Sequence, residues 1–149
     1  MKINTFLKTL SFMHLSLVIG LSIFTILAIS QGKGFNTSTD GSDMLLFAVP
    51  VVALLGYFGS KYLFKKMISS LNENDSLETK LKKFQSASHI KYALIEAPAF
   101  FALFAYYNSG NALPLVIAIC LLAYLFVQKP NKNSLLKELP LNKEEKNEL

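Results

Sequence analysis

The distribution of charge along the chain constrains its fold most strongly, because charged residues almost disappear from four apolar blocks. These blocks are residues 9–32, 44–64, 92–107 and 112–127. The first and last contain no charged residue, and the other two contain one each, Lys61 and Glu96. A helix rises about 1.5 Å per residue, so about 20 residues cross a hydrocarbon core about 30 Å thick. The first two blocks reach that length.

The last two blocks are shorter, and as helices of 16 residues each would measure about 24 Å. A polar turn, residues 108–111 (NSGN), separates them, and Pro114 suits the first turn of a helix. We therefore predict an all-α fold: one integral membrane domain, a four-helix bundle formed by 149 residues. The predicted spans are about 9–30, 44–64, 90–107 and 112–128. For the last two blocks alone, a buried soluble hairpin is the alternative.

The lysines orient this predicted bundle. Fourteen of the fifteen lie before the first block, after the fourth, or around the segment that joins the second to the third. Only Lys33 lies in the other connections. The positive-inside rule therefore predicts that both ends and the central segment are cytoplasmic (N-in/C-in), in a multi-pass inner-membrane protein. The bias toward Lys, Asn, Ile and Phe favours a bacterial source. The chain has no arginine for bidentate contacts, so we do not expect a nucleic-acid partner.

The first block also admits a processing alternative. A basic start and the run Ala28-Ile29-Ser30 are compatible with a cleaved signal peptide. Its apolar stretch of about 20 residues is longer than the usual 7–15 of a signal peptide. We therefore predict an uncleaved first span.

Between the second and third spans, residues 72–88 have the pattern of an amphipathic cytoplasmic helix. Leu77, Leu81 and Phe84 recur at helical spacing. In one interpretation this helix lies on the inner leaflet, where its lysines contact anionic lipid headgroups. The lysines assigned to that contact are Lys80, Lys82 and Lys83. In the other interpretation the helix extends the third span into the cytoplasm.

The tail, residues 129–149, is predicted to be cytoplasmic and to dock on the rest of the chain through its leucines. These are Leu135, Leu136, Leu139 and Leu141. Asn142 followed by Glu145 is the pattern of a capping box, so a short helix is expected there.

Glu96 is the most specific functional clue, because a charged side chain inside a span costs roughly 2.5–3.5 kcal/mol on insertion scales. His14 and Lys61 are predicted at the same cytoplasmic half of the membrane, and Tyr92 shares a helix face with Glu96. One hypothesis is that these four residues bind a proton or cation. The other is that Glu96 is held by Lys61, His14 or tyrosine hydroxyls and only fixes helix register. His89 and Glu96 would be about 10.5 Å apart on a straight helix, too far to share a metal ion.

Helix contacts are predicted where small residues are spaced four apart, because they allow two backbones to approach closely. The three pairs are Ser16 with Gly20, Gly56 with Ser60, and Ala93 with Ala97.

The run Ala93-Leu94-Ile95-Glu96-Ala97, followed by Phe100 and Phe101, resembles the acidic span of rotary ATPase proteolipid subunits. Gly56 with Gly59 resembles the glycine-bearing partner span of that family. This resemblance implies that Glu96 is an ion-carrying carboxylate. The long basic connecting segment and Pro98 depart from the family. With its Pro-containing, lysine-rich tail segment Lys129-Pro130-Asn131-Lys132, the whole chain resembles uncharacterised four-span bacterial membrane proteins, which implies a fold and no function.

The sequence contains no P-loop, dinucleotide fingerprint, zinc-protease motif or nucleophile elbow, so we predict neither an enzyme nor a cofactor or metal. The sequence is compatible with two functions. The first is a non-enzymatic accessory or assembly component that contacts a partner or anionic lipid through its basic cytoplasmic face. The second is a proton- or cation-translocating element built on Glu96, as a homo-oligomer.

Overall fold

The computed structural model describes residues 2–36 and 43–149, and within these ranges it forms six helices and no β-strand. They are α1 (Ile3–Gln31), α2 (Met44–Ser69), α3 (Leu77–Ser109), α4 (Ala112–Val127), α5 (Lys132–Glu138) and α6 (Lys143–Asn147). The predicted all-α class is therefore confirmed.

Helices α1 and α3 lie side by side and run in the same direction. Near their starts the rings of Phe6 and Phe84 are 6.5 Å apart between centroids. Further along, the rings of Phe24 and Phe100 are 5.1 Å apart. The contacts advance together along both helices, so the two helices are parallel.

Helix α2 runs antiparallel to α3. The rings of Phe64 and Phe84 are 5.7 Å apart, whereas Gly56, earlier in α2, lies against Leu94 and Pro98, later in α3. A Cβ atom added at Gly56 would overlap the Leu94 carbonyl oxygen and lie 2.5 Å from Cγ of Pro98. The two backbones approach each other this closely only because residue 56 is glycine.

Helix α4 runs antiparallel to α1, since Asn111 pairs with Asn36 at one end and Leu125 contacts His14 toward the other. The four long helices thus alternate in direction. We call the end that holds residues 32–36 and the α3–α4 turn the turn-side end. The opposite end, where α5 and α6 lie, is the tail-side end.

The turn-side end is closed by main-chain hydrogen bonds over very few residues. Gly110 ends α3 in the left-handed conformation, with φ 68°, and its carbonyl accepts a 2.6 Å bond from the Asn36 amide. The carbonyl of Asn36 accepts a 2.8 Å bond from Ala112. The Asn111 side chain caps α4 by accepting from the Leu113 amide at 2.9 Å. The polar turn predicted at 108–111 is present.

The tail-side end is closed by a second apolar core, separate from the one between the long helices. Its members come from the starts of α1 and α3, the end of α2 and the tail: Ile3, Phe6, Leu7, Leu10, Phe64, Ile68, Leu81, Phe84, Ala87, Leu135, Leu139 and Leu141. The predicted docking of the tail is confirmed for three of its leucines, whereas Leu136 is exposed.

Two helices, α1 and α2, are long and apolar enough to cross a membrane, which indicates a membrane protein. Helix α4 reaches that standard only if α5 is counted with it, and the two are bent by 87°. Large apolar side chains are exposed along the outer faces of α1 and α2, for example Phe12, Ile26, Phe47 and Leu55. Exposed apolar surface of this extent matches a lipid environment better than water.

Of the two interpretations of residues 72–88, the structure matches the second, in which this segment extends the third helix, and the separate amphipathic helix is wrong. Helix α3 continues without a break from Leu77 to Ser109, so the segment is the first part of that helix. Ser76 caps it by accepting from the Thr79 amide. No glycine or proline lies between Leu77 and Pro98, so nothing in the sequence ends the helix earlier.

Candidate functional site

His14 and Tyr92, two of the predicted site residues, form a buried pair. Their rings meet edge to face, with centroids 5.0 Å apart. Nε2 of His14 lies 2.7 Å from the Leu125 carbonyl oxygen, and because a carbonyl only accepts, Nε2 donates the hydrogen. The Tyr92 hydroxyl donates to the Gln128 carbonyl at 3.2 Å. The last carbonyls of a helix lack partners within it, so this pair fastens α1 and α3 to the end of α4.

Glu96 does not join that pair. It lies one turn beyond Tyr92 on α3 and is partly exposed. No hydrogen bond or ion pair links its carboxylate to any residue in the described ranges. The hypothesis that His14, Lys61 or a tyrosine hydroxyl holds Glu96 is therefore wrong.

Lys61 lies on an exposed face of α2 and interacts within its own helix. Its Nζ donates to the Tyr57 hydroxyl at 2.6 Å and lies 4.4 Å from the centre of that ring. The four predicted site residues thus do not form one cluster: His14 contacts Tyr92, while Glu96 and Lys61 lie apart.

Of the predicted packing pairs, Gly56 and Ser60 lie buried on α2. Ser16, Gly20, Ala93 and Ala97 are exposed, and nothing lies within 4 Å of a Cβ added at Gly20. The prediction that these two pairs pack helices together within the chain is wrong. The spacing of small residues shows that they share one face of a helix, but it does not show whether that face contacts another helix.

Lys80, predicted to contact lipid headgroups, is instead fully buried at the tail-side end. Its Nζ forms a 2.8 Å ion pair with the Glu145 carboxylate on α6, and it also donates to the Glu73 carbonyl at 2.8 Å. The same carboxylate oxygen accepts from the Asn142 amide at 2.9 Å, which completes the predicted capping box. The headgroup assignment of Lys80 is wrong because tail and helix enclose its ammonium group.

Lys82 and Lys83 remain at the surface, Lys82 exposed and Lys83 partly so. Lys82 forms a 2.7 Å ion pair with Glu78, one turn earlier on α3. The hydrogen bond from Lys82 and its charge lower the pKa of Glu78. Both partners are exposed to solvent, where such pairs contribute little to stability.

Opposing influences act on the pKa of the Glu145 carboxylate. Removal of water by burial is the largest influence and raises its pKa, whereas the bonds from Lys80 and the Asn142 amide, with the Lys80 charge, lower it. The lowering influences prevail, so its pKa lies below the ordinary 4.5. Glu145 therefore remains ionised at neutral pH and keeps Lys80 paired.

Sequence reasoning missed the Lys80–Glu145 pair, although one signal was present. Lys80 follows Leu77 by three residues and precedes Leu81, which places it on the apolar side of the helix. A lysine at such a position is exposed at its tip or paired with an acid. The identity of that acid, 65 residues away, is not indicated by any local pattern.

Among the described residues, no group of three or more His, Cys, Asp or Glu side chains is placed to hold a metal ion. Comparison of the chain with protein-family models, with curated proteins and with solved structures found no match.

Proposed function

We propose that the protein is a small, non-enzymatic inner-membrane protein. In this proposal it acts as an accessory or assembly component that contacts anionic lipid or a partner through a basic cytoplasmic face. The observation that carries the proposal is the construction of the tail-side end. There the tail folds back onto α1, α2 and α3, and the buried Lys80–Glu145 pair and an apolar core hold it in place.

The proposed topology has four crossings, with the tail-side end in the cytoplasm. The alternating directions of α1 to α4 support it, since successive helices in such a topology must run in opposite senses. The lysine distribution also supports it, because fourteen of fifteen lysines belong to elements of the tail-side half and only Lys33 lies at the other end. The apolar part of α3, residues 92–107, and α4 would be the two short crossings.

The lysines of the basic face are held in fixed positions by the elements that carry them. Exposed lysines project from α1, α2, α3, α4–α5 and α6, and the shared core fixes these elements relative to one another. Examples are Lys8, Lys65, Lys132 and Lys143, each from a different segment. A fixed array of cations loses less conformational freedom on binding than a flexible tail would. It is suited to anionic headgroups or to an acidic partner surface.

Cysteine accessibility tests the topology. The chain has one cysteine, Cys120, so Cys120→Ala provides a cysteine-free background. In intact cells, a membrane-impermeant maleimide should label Asn108→Cys at the turn-side end and leave Asn133→Cys at the tail-side end unlabelled. Both should be labelled after cell lysis. The reverse pattern in intact cells would overturn the proposed orientation.

Thermal unfolding in nanodiscs tests the contact with anionic lipid. The protein should have a higher Tm in nanodiscs that contain phosphatidylglycerol than in nanodiscs of phosphatidylcholine alone. The difference should shrink in 1 M salt, where charges are screened within about 3 Å. Equal Tm values in both lipids at low salt would contradict a lipid-contacting basic face.

A second candidate function, ion translocation, is favoured by one observation: Glu96 has no protein partner among the described residues. If Glu96 carries protons or cations, Glu96→Gln abolishes flux in liposomes without lowering Tm. Glu73→Gln, which alters an exposed carboxylate at the tail-side end, is the matched control and should leave flux intact. Absence of flux for the unaltered protein would exclude this function.

A further inference from the structure

A groove at the tail-side end lies between α1 and the corner where α4 turns into α5. The groove has a cavity volume of about 770 Å³, within the range of about 300–1,000 Å³ found for small-molecule sites. It exists because α5 leaves α4 at 87° after Pro130, so the tail does not follow α1 along its length. The Ser11 hydroxyl donates to the Pro130 carbonyl at 3.3 Å and fixes this corner against α1.

One part of the groove is cationic. Lys8 from α1 and Lys129 and Lys132 from the corner line it, and all three residues are exposed. No acidic residue is among its lining residues, and none of these lysines forms an ion pair with a described Asp or Glu side chain. Lys132 uses one N–H group to bond the Leu149 carbonyl and retains two donors. Lys8 and Lys129 are thus available to an anion, and Lys132 adds its two remaining donors beside them.

The other part of the groove is apolar. Phe12, Leu15 and Phe126 line it, and Phe12 and Phe126 are 71% and 63% exposed. Lys8 and Leu15 are seven residues apart on one helix, so the charged and apolar parts are separated by about 10 Å. The surface beyond Leu15 continues into the exposed apolar face of α1. A ligand that fills the whole groove must therefore be anionic at one end and hydrocarbon at the other.

We propose that this groove binds one anionic phospholipid of the inner leaflet, with its phosphate among Lys8, Lys129 and Lys132 and the start of an acyl chain against Phe12, Leu15 and Phe126. The inference rests on the proposed function, since it requires the tail-side end to face the cytoplasm. The proposed function gives the contact with anionic lipid to the whole basic face, and this inference places one such contact in the groove. Basic pockets between membrane helices on the cytoplasmic side are suited to such headgroups.

Tryptophan quenching by brominated lipid tests the site, because the chain contains no tryptophan of its own. Phe12→Trp places the probe in the groove. Phe58→Trp places it on an exposed face of α2 outside the groove, as the matched control. Each variant is reconstituted in bilayers of phosphatidylglycerol and phosphatidylcholine, with one or the other lipid brominated.

The preference for phosphatidylglycerol over phosphatidylcholine should be about tenfold greater at the groove probe than at the control probe. This is less than three lysines near an anionic headgroup could contribute together. Adding Lys8→Gln, Lys129→Gln and Lys132→Gln to the Phe12→Trp protein should remove that excess. Adding Lys65→Gln, Lys143→Gln and Lys146→Gln, which removes equal charge elsewhere on the basic face, should leave it unchanged.

Equal lipid selection at the two probes would overturn the groove site. So would an excess at the groove probe that both triple variants remove equally. The proposed function would survive either result if Tm still rises with phosphatidylglycerol and Asn133→Cys remains protected in intact cells. Failure of those two measurements would remove the proposed function itself, so the two failures are distinguishable.

Discussion

The two ends of the molecule are closed by different physics. At the turn-side end, a left-handed glycine and a few main-chain hydrogen bonds join α1, α3 and α4 within a handful of residues. At the tail-side end, about twenty residues of tail pack an apolar core and bury the Lys80–Glu145 ion pair. The first closure depends on backbone conformation, and the second on side chains distant in sequence. They should therefore fail under different substitutions.

The largest effect is expected from Glu145→Gln, which leaves the Lys80 ammonium buried without its carboxylate. Breaking a buried pair in this way costs about 3 kcal/mol, or roughly a hundredfold in tail docking. Hydrogen exchange of α5 and α6 amides, compared with those of α4, measures the change. The tail amides should lose protection while the turn-side end keeps it.

The matched control replaces both partners, as Lys80→Met with Glu145→Leu. Well-packed apolar replacements of a buried pair are commonly neutral or stabilising, so tail protection should return close to that of the unaltered protein. A double variant as weakly protected as Glu145→Gln would mean that the ion pair is not the source of the effect.

Gly110→Ala should act at the opposite end, with a smaller effect. A non-glycine residue in the left-handed conformation costs roughly 1–2 kcal/mol. The added Cβ would also lie 2.9 Å from the Gly34 carbonyl oxygen. The Tm should fall while the tail amides keep their relative protection. Gly59→Ala, in a helix with open space around the added Cβ, is the control and should not lower Tm.

The smallest effect is expected from mild acid, where only part of Glu145 is protonated. The folded-state pKa of Glu145 lies below 4.5, so its contribution to stability is present above about pH 4.5 and is lost as pH falls through the lower value. Near pH 4.5 more than half of Glu145 in the folded protein is still ionised, so the loss there is small, whereas complete protonation at lower pH removes the same charge as Glu145→Gln and should approach its effect. Hydrogen exchange of the α5 and α6 amides, measured at each pH, checks this prediction. The Lys80→Met, Glu145→Leu protein should show no such step.

Local patterns predicted several helix boundaries correctly. Met44 and Ala112, the first residues of two apolar blocks, begin α2 and α4, and the polar turn at 108–111 ends α3. The capping box at Asn142 and Glu145 is also as predicted. Each of these features is decided by residues within a few positions of one another, which a sequence displays directly.

Only part of the predicted site was brought together, because a site depends on which helix faces meet. His14 and Tyr92 do meet, but Glu96 lies apart from both and Lys61 bonds Tyr57 instead. Periodicity places residues on a common face of one helix. It does not set the rotation of that helix against its neighbours.

The sequence by itself determined that this chain is helical and where α2 and α4 begin and α3 ends. It also determined that nearly all its positive charge lies toward one end, since these properties follow from backbone geometry and local composition. Only the tertiary structure decided that Lys80 is buried against Glu145 and that Lys8 joins Lys129 and Lys132 around one groove. Those groupings join residues 65 and more than 120 positions apart, and only the packing of the helices brings them together.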